Sequence, residues 1–211
     1  MATIAETTFA AIDFESAGAR PGGTDVPVQI GIALLKGELI ETGDFFGTHI
    51  HTDQPVTWSA QKVHGISNAD LKDAPTLFSL WPEIKARLEG RPVVAHGAST
   101  ERRFLRAFPL HGFGPWIDTL KVVRAYDPHL KSHALGDIAR EYGLLSDVEA
   151  LFPRFRWHDA LCDAAASLVI LRHIIRKCGI QSEPVELLLQ PDDSLYHRLK
   201  AQSRHHRGGI A

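Results

Sequence analysis

The feature that most constrains this chain of 211 residues is an apolar run that ends in two carboxylates. Residues 8–12 favour a β-strand, and they lead directly into Asp13, Phe14 and Glu15. Alternate side chains of a strand point to the same face, so Asp13 and Glu15 are expected together and Phe14 in the core. Neighbouring carboxylates repel each other unless a cation lies between them, and hard oxygen ligands suit Mg²⁺ or Mn²⁺. Taken alone, the pair is also compatible with a solvated strand end.

Three further acidic residues follow predicted strands or lie at the starts of predicted helices. Glu101 falls in the first turn of a helix after the buried strand at 92–96, where the helix dipole also favours an acid. Asp118 ends another short strand, and we interpret it as the N-cap of the next helix. Asp163 lies inside an apolar helix, where an ionised carboxylate is unexpected unless it is paired or bound to a metal. His158, at the entrance of that helix, is a candidate general base.

The order of predicted elements is typical of a single α/β domain. Strands are expected at residues 8–15, 28–35, 39–50, 92–96 and 116–118. The first three form an antiparallel meander, and helices alternate with the later two. The longest helix is expected at about 159–178, after a loop at 144–157. This order predicts a mixed β-sheet, an antiparallel meander plus parallel strands, flanked by α-helices.

Composition and length narrow the class of protein further. The formal net charge is −2, so a site for a polyanion must be local. Cys162 and Cys178 look like core residues of a reduced compartment. No segment approaches the length of a membrane span, and we expect a cytoplasmic protein without membrane contact. We expect one catalytic domain at 1–180, followed by a C-terminal extension at 181–211 that is partly helical, at 194–202, or frayed.

The order of these motifs resembles that of the DnaQ-like (DEDDh) 3′-5′ exonucleases, within the ribonuclease H-like superfamily. The resemblance covers roughly residues 8–176 and rests on Asp-x-Glu in the first strand, His-x4-acid after the fourth, and His-x4-Asp at the last long helix. Further support comes from Gln-Ile-Gly at 29–31, His-Gly-Ile-Ser at 64–67 and Ile-Asp-Thr-Leu at 117–120. The spacing selects the histidine subgroup, because the tyrosine subgroup has Tyr where this chain has Asp159.

The resemblance implies a ribonuclease H-like fold and metal-dependent hydrolysis from the 3′ end of single-stranded DNA or RNA. It implies an acidic quartet around two divalent ions, Mg²⁺ or Mn²⁺, roughly 3.5–4 Å apart. The quartet consists of Asp13, Glu15, Glu101 and Asp163. Asp13 would bridge the ions, Glu15 and Asp163 would complete the first site, and Glu101 would serve the second. His158 would accept the proton of the attacking water.

Contacts to the substrate follow from the same resemblance. The residues expected to contact the terminal nucleotide are Phe14, Ser16, His64, Gly65 and Ile66. Arg102, Arg103 and Arg106 follow Glu101, and they either meet backbone phosphates or form a solvated helical face. A homodimer or a polymerase partner is suggested by analogy only.

The chain departs from the family pattern at position 101. The family has Asp within His-Asn-x-x-Phe-Asp, whereas residues 96–101 read His-Gly-Ala-Ser-Thr-Glu. Glu101 keeps the charge but displaces the carboxylate by about 1.5 Å, one bond length. We expect a weaker second metal site or a preference for Mn²⁺ over Mg²⁺, with activity retained.

Two other functions remain open at this point. One is a phosphodiesterase for small nucleotides or short oligonucleotides that uses the same metals, which the modest net charge allows. The other is a non-catalytic nucleic-acid-binding or polymerase-associated module, which the change at Glu101 suggests. The preferred length of substrate distinguishes the first, and an unchanged activity on substitution of His158 distinguishes the second.

Overall fold

The structure is a computed structural model that describes residues 2–19 and 22–189. The predicted helix at 194–202 lies outside the described residues, as does the rest of the chain beyond residue 189. Among the described helices, none combines the length and the apolar character that crossing a bilayer requires.

The described strands form one mixed sheet in the order β3-β2-β1-β5-β6, with β4 also paired to β2. They are β1 (Thr8–Ser16), β2 (Pro27–Lys36), β3 (Leu39–Ile40), β4 (Phe46–His49), β5 (Val93–Ala95) and β6 (Trp116–Asp118). The strand β2 is antiparallel to β1, β3 and β4, whereas β5 is parallel to both β1 and β6. The predicted mixed sheet, with its antiparallel and parallel parts, is confirmed.

Helices cover both faces of this sheet. They are α1 (Trp58–His64), α2 (Asn68–Leu71), α3 (Trp81–Leu88), α4 (Ser99–Phe104), α5 (Thr119–Tyr126), α6 (Leu135–Glu141), α7 (Leu145–Glu149) and α8 (Ala160–Cys178). Short 3₁₀ turns lie at Thr42–Asp44, Phe78–Leu80, Leu105–Ala107 and Val185–Leu188.

The alternation of β1 divides the core into two layers. Phe9 and Ala11 point to the face that packs against α8 and the helices beside it. Ile12 and Phe14 point to the opposite face, which packs against α3 and α4. Because Asp13 and Glu15 share the parity of Ala11, they emerge on the face that α8 covers. The free cysteines, Cys162 and Cys178, are buried on α8, as expected of core residues.

Two predictions of secondary structure were wrong. The expected strand at 39–50 is broken into β3 and β4 by the turn at Thr42–Asp44, where polar residues and glycine favour a turn over a strand. The expected loop at 144–157 contains α7, because Leu144 and Val148 lie four residues apart and bury one helical face.

The segment at 181–189 packs against the domain. The backbone of Ile4 donates to Glu183 and that of Ala5 donates to Gln181, each at 2.9 Å. Leu188 is fully buried in the same core cluster as Phe9. The boundary that we place at residue 180 stays a prediction.

Gly31 is a position where the sheet approaches α8 closely through backbone. A Cβ atom there would overlap the backbone carbon of Ala160 and the backbone nitrogen of Leu161. A Cβ atom on Gly47 would likewise come within 3.1 Å of the side chain of Leu161. The first turn of α8 therefore rests directly on β2 and β4.

We predict that Gly31→Ala destabilises the fold by about 3 kcal/mol, the upper part of the usual range for overpacking, because the clash is with backbone. Thermal unfolding followed by circular dichroism measures the effect, roughly 2–4 °C per kcal/mol for a chain of this size. The matched control is Gly43→Ala, where a Cβ atom meets nothing within 4 Å. Equal melting temperatures for the two variants would contradict the close approach.

Candidate active site

The carboxyl end of β1 brings two acidic side chains to an open edge of the sheet. The pairing of β1 with β5 ends at Ala11 and Val94, whereas its pairing with β2 continues beyond Glu15. Asp13 and Glu15 are half-buried there. The backbone of β1 beyond Ala11 is thus paired on the β2 side alone within the described structure.

Asp163, in the first turn of the long helix α8, meets this edge from one face of the sheet. It is 9% exposed, and its Oδ2 accepts a hydrogen bond from the backbone N–H of His158 at 3.2 Å. Its Oδ1 has no donor among the described residues. Ligand atoms of Glu15, His158 and Asp163 all lie within 4.8 Å of one another, so these three residues could hold a metal ion together.

Glu101 reaches the same edge from α4. The residue is 4% exposed, and its Oε2 is buried without a donor among the described residues. Its negative charge contributes to the raised pKa values of Asp13 and Glu15. The structure therefore gathers the four acidic residues that the sequence singled out, although Glu101 lies outside the group of three described above.

Burial raises the pKa of each carboxyl group in this cluster, and repulsion from the other members adds to the rise for Asp13 and Glu15. Burial first, and then the charges of Asp163 and Glu101, raise the pKa of Asp13 well above its ordinary value. Burial also raises the pKa values of Glu15, Glu101 and Asp163 to about 7. Without a cation, the cluster therefore favours bound protons. A bound divalent cation would favour the ionised form instead.

The buried carboxylate oxygens fit a metal ion better than they fit an ordinary polar core. A buried acceptor without a donor costs free energy, roughly 1–3 kcal/mol and more when charged, and such groups are uncommon in folded proteins. Glu101 and Asp163 each present one such oxygen to the same sheet edge. Carboxylates of this kind are the ligands that Mg²⁺ and Mn²⁺ prefer.

His158 is held in a restricted backbone conformation at the mouth of the cluster. Its φ angle is +60°, in the left-handed region that non-glycine residues seldom adopt. The hydrogen bond from its backbone to Asp163 and the packing of the adjacent Trp157 support that conformation. The indole of Trp157 lies so near Gly136 that a Cβ atom there would come within 3.2 Å of the ring. The exposed imidazole is thus placed beside Glu15 and Asp163 by its neighbours.

Gln29 fixes the start of α8, near which both His158 and Asp163 lie. Its amide nitrogen donates to Asp159 at 2.9 Å, and its amide oxygen accepts from the backbone of Ala160 at 3.1 Å. Asp159 also caps the helix by accepting from the backbone N–H groups of Leu161 and Cys162. Position 159 therefore has a capping role here.

The residues that we expect near the terminal nucleotide have distinct environments. His64 is buried, and its Nδ1 accepts from the backbone of Ile66, so its Nε2–H donates to the carbonyl of Ser16 at 3.0 Å. The side chain of Ile66 is buried in a small core cluster, and that of Phe14 packs edge-on against a core aromatic ring. Gly65, which lies between His64 and Ile66 in the sequence and has a φ angle of +77°, is exposed. The described contacts give His64 a supporting role and leave Ser16 and Gly65 accessible.

Asp118 is the N-cap that the sequence predicted. Its Oδ1 accepts from the backbone N–H of Leu120 at 3.0 Å, and also from that of Gly97 at 2.9 Å. The second bond ties the loop before α4 to the start of α5, so Asp118 helps to position the helix that carries Glu101.

Sequence reasoning missed Arg156, two residues before His158. Its charge opposes the rise in the pKa of Glu15, and a Cβ atom on Gly65 would lie 3.1 Å from its Nη1. The guanidinium therefore lies next to Gly65 and near enough to Glu15 for its charge to act on that carboxyl group. Its position close to His158 in the sequence was the only signal that could have indicated it.

Comparison with known proteins identifies the family of the chain. A family model described as exonuclease matches residues 10–171. The chain belongs to the DnaQ-like exonuclease family. Membership supports a nuclease of the hydrolase class, and it confirms the family that the motifs indicated.

Individual members of the family show how far the likeness extends. The chain is 29% identical over 186 residues to a PolC-type DNA polymerase III of Thermotoga maritima. The aligned region covers 84% of this chain but 13% of that protein. The fold matches exonuclease X in complex with 5′ overhanging duplex DNA, with a TM-score of 0.70, 23% identity and coverage of 86% and 99% of the two chains. It also matches the nuclease domain of 3′hExo, a DEDDh family member bound to rAMP, with a TM-score of 0.66, 16% identity and coverage of 86% and 98%. The chain thus spans a small part of the polymerase it matches and nearly all of each nuclease domain.

We predict that Asp163→Asn stabilises the metal-free protein at pH 8. A carboxyl group whose pKa is raised to about 7 favours the fold below its unfolded pKa and loses that contribution as the pH rises through about 7. Removing the charge should raise the melting temperature in EDTA by roughly 2–8 °C, equivalent to about 1–2 kcal/mol.

Addition of Mn²⁺ provides the complementary measurement. The wild-type melting temperature should rise with Mn²⁺ at pH 8, because the ion binds only the folded cluster, whereas that of Asp163→Asn should respond much less. The exposed Asp73 supplies the control, Asp73→Asn, which should behave as the wild type in both conditions. An equal response of all three proteins to Mn²⁺ would exclude Asp163 as a ligand.

Proposed function

We propose that this protein is a 3′-to-5′ exonuclease that hydrolyses phosphodiester bonds at the ends of single-stranded nucleic acid. The observation that carries the proposal is the pair of buried carboxylate oxygens, on Glu101 and Asp163, that lack a donor among the described residues at the sheet edge where β1 ends. They face a half-buried pair of acids on β1, and the cluster as a whole favours a bound cation. Such an arrangement suits phosphate chemistry, in which catalysis is mainly positioning and charge neutralisation.

Two divalent ions fit the donor set. Glu15 and Asp163 would hold one ion together with Asp13, and Asp13 and Glu101 would serve the other. Bound ions would neutralise the scissile phosphate and promote loss of a proton from the attacking water. The residues of the chain would supply the fixed positions, because the acids come from three separate elements of the packed core, β1, α4 and α8.

His158 is the proposed general base. Its ring nitrogen lies within 4.8 Å of oxygens on Glu15 and Asp163, where an attacking water would be bound, and its backbone is restrained by the hydrogen bond to Asp163. The proximity would equally allow the imidazole to bind a metal. A base and a ligand differ in what their removal does: loss of a base lowers the rate with metal binding unchanged.

The terminal nucleotide would lie against the surface formed by Ser16 and Gly65. The buried ring of His64 fixes the carbonyl of Ser16, and Phe14 would contribute backbone because its side chain is in the core. Ile66 would support the same surface from beneath. Arg156 would meet a phosphate oxygen from its position beside Gly65.

The neighbouring structures support a nucleic-acid substrate without selecting the sugar, since one contains DNA and another rAMP. A polymerase partner also belongs to the proposal, supported by the name of the PolC-type relative. A cytoplasmic site of action is proposed as well, again by analogy with the polymerase relative.

Hydrolysis of a 5′-labelled single strand, as DNA and as RNA, tests the activity. With Mg²⁺ or Mn²⁺ we expect a ladder that shortens from the 3′ end and that EDTA abolishes. Asp13→Ala should be inactive, and His158→Ala should lose about 10²–10⁴-fold in rate while keeping the stabilisation by Mn²⁺. Strands of every length left intact by the wild type would overturn the proposal, and cleavage of dinucleotides alone would favour a short-oligonucleotide phosphodiesterase.

Glu101 provides a separate prediction on metal choice. Glu101→Asp withdraws the carboxylate by about one bond length, 1.5 Å, so the ratio of the Mg²⁺ rate to the Mn²⁺ rate should rise by about tenfold. A misplacement of about 1 Å can cost roughly a hundredfold in rate, which makes a tenfold change readily measurable. Glu101→Gln, which keeps the length and removes the charge, should lower both rates. An unchanged ratio in Glu101→Asp would exclude a role for this side chain in metal preference.

A further inference from the structure

A cavity of about 450 Å³ lies beside the helix that carries Glu101. It is lined by Ser99, Arg102, Arg106, His111, Phe113 and Trp116. The first three come from α4 and the turn after it, His111 and Phe113 from the segment that leads into β6, and Trp116 from the first position of β6. The helix α4 therefore contributes to both places: its buried Glu101 belongs to the carboxylate cluster, and its exposed Arg102 lines the cavity.

The charge of this cavity is positive although the whole chain is weakly negative. Arg102 and Arg106 are exposed, and neither forms an ion pair within the described residues, whereas the intervening Arg103 pairs with Asp25 at 3.5 Å. Among the described residues that line the cavity, none is acidic. Two guanidinium groups one helical turn apart, without acidic partners in the described part of the chain, suit a phosphate group.

An aromatic surface forms the other side of the cavity. The guanidinium of Arg102 lies over the indole of Trp116, 5.9 Å from the ring centroid. The indole Nε1–H donates to the carbonyl of Phe113 at 3.0 Å, and a Cβ atom on Gly114 would come within 3.0 Å of the ring, so the glycine permits this close packing. The half-buried indole is therefore held in a fixed orientation before any ligand arrives. Fixed aromatic rings beside cations are the usual platform for stacked bases of a single strand.

His111 adds a directional donor to the same cavity. Its Nδ1 accepts from the backbone N–H of Phe113 at 2.8 Å, and its ring lies 4.6 Å from that of Phe113. In the neutral form that this bond requires, the hydrogen resides on Nε2, which can donate to a ligand. Burial lowers the pKa of His111, which agrees with the neutral form.

We propose that this cavity is a second nucleotide subsite, which binds one internal nucleotide of the substrate strand by its phosphate and its base. The inference rests on the proposed exonuclease activity for the direction of the strand. A free nucleotide carries the same phosphate and base, so the experiments below distinguish an internal nucleotide of the strand from a free one.

The register of the sheet places the subsite away from the reaction centre. Trp116 pairs with Val93, and Val93 pairs with Ala10, three residues before Asp13. Three residues along a strand correspond to about 10 Å, and two strand spacings to about another 10 Å across the sheet. A dinucleotide with a free 5′-hydroxyl has a single phosphate, which hydrolysis itself engages. It therefore has none left for Arg102 and Arg106, whereas a decanucleotide does.

Steady-state kinetics of Arg102→Gln/Arg106→Gln test the subsite. For a decanucleotide we expect the KM to rise about tenfold with kcat unchanged, and for the dinucleotide no change in either constant. The slope of log KM against log salt should fall by about 0.7, the amount expected when one single-strand phosphate is no longer neutralised. Retention of the wild-type melting temperature would show that the glutamines preserve the fold.

The matched control is Arg172→Gln/Arg176→Gln. These arginines are also four residues apart in the sequence, and both contact Glu38, beside the end of β2 opposite the acidic cluster. The control removes the same charge and should leave the KM for the decanucleotide at its wild-type value. An equal increase in the KM for the decanucleotide in the two double variants would show that net charge alone causes the effect, and would overturn the subsite.

Tryptophan fluorescence measures occupancy independently of hydrolysis. Titration of the metal-free protein with the decanucleotide should quench the emission, and Trp116→Phe should remove that quenching although three of the four tryptophans remain. Quenching by the decanucleotide, together with no hydrolysis of it after Mg²⁺ or Mn²⁺ is added, would preserve the subsite and overturn the proposed activity. Saturable quenching by AMP, with the decanucleotide KM unchanged in the arginine variant, would overturn the internal-nucleotide proposal in favour of a free nucleotide. Absence of any Trp116-dependent quenching, together with an unchanged KM, would overturn the subsite altogether.

Discussion

Repulsion between carboxylates at one edge of the sheet is the constraint on which the rest of this structure depends. Asp13, Glu15, Glu101 and Asp163 are drawn together by the fold, and each has a pKa raised by burial or by its neighbours. A cluster of this kind opposes folding at neutral pH unless a cation neutralises it. The large apolar core on both faces of the sheet offsets that cost, and it holds the acids at separations that local backbone could not maintain.

The packing of α8 on β2 gives the site its rigidity. Gly31 lets the helix backbone rest on the strand, and Gln29 bonds to both the cap residue and the first turn. The Gln-Ile-Gly motif at 29–31 therefore has a structural role, because it sets the position of the helix that carries Asp163. His158 precedes that helix in a restrained conformation, and its imidazole reaches the same cluster. The positions of acid and candidate base are thus coupled through a single helix N-terminus.

Most of the architecture followed from local patterns. The alternation in β1 correctly placed Phe14 in the core and Asp13 with Glu15 on the opposite face, and the acidic strand end before Thr119 correctly predicted a helix cap. One error arose where a tertiary contact decided the outcome, and the other where a local turn was overlooked. Val148 is buried by packing against the core and so stabilises a helix in a segment that looked like a loop, and a polar turn divides the strand expected at 39–50. Burial of one face of a segment can therefore stabilise a helix, or a strand, that the local sequence favours only weakly.

The sequence by itself determined most of the order of the strands and helices and the chemistry of the acidic residues, because strand alternation, helical periodicity and motif spacing are properties of neighbouring residues. It also indicated the exonuclease family, which the comparisons confirmed. Only the tertiary structure decided which carboxylate oxygens lack donors among the described residues, that the charge of Arg156 acts on Glu15, and that the arginines after Glu101 border an aromatic cavity. These features depend on distances between segments far apart in the chain, and packing of the two core layers sets those distances.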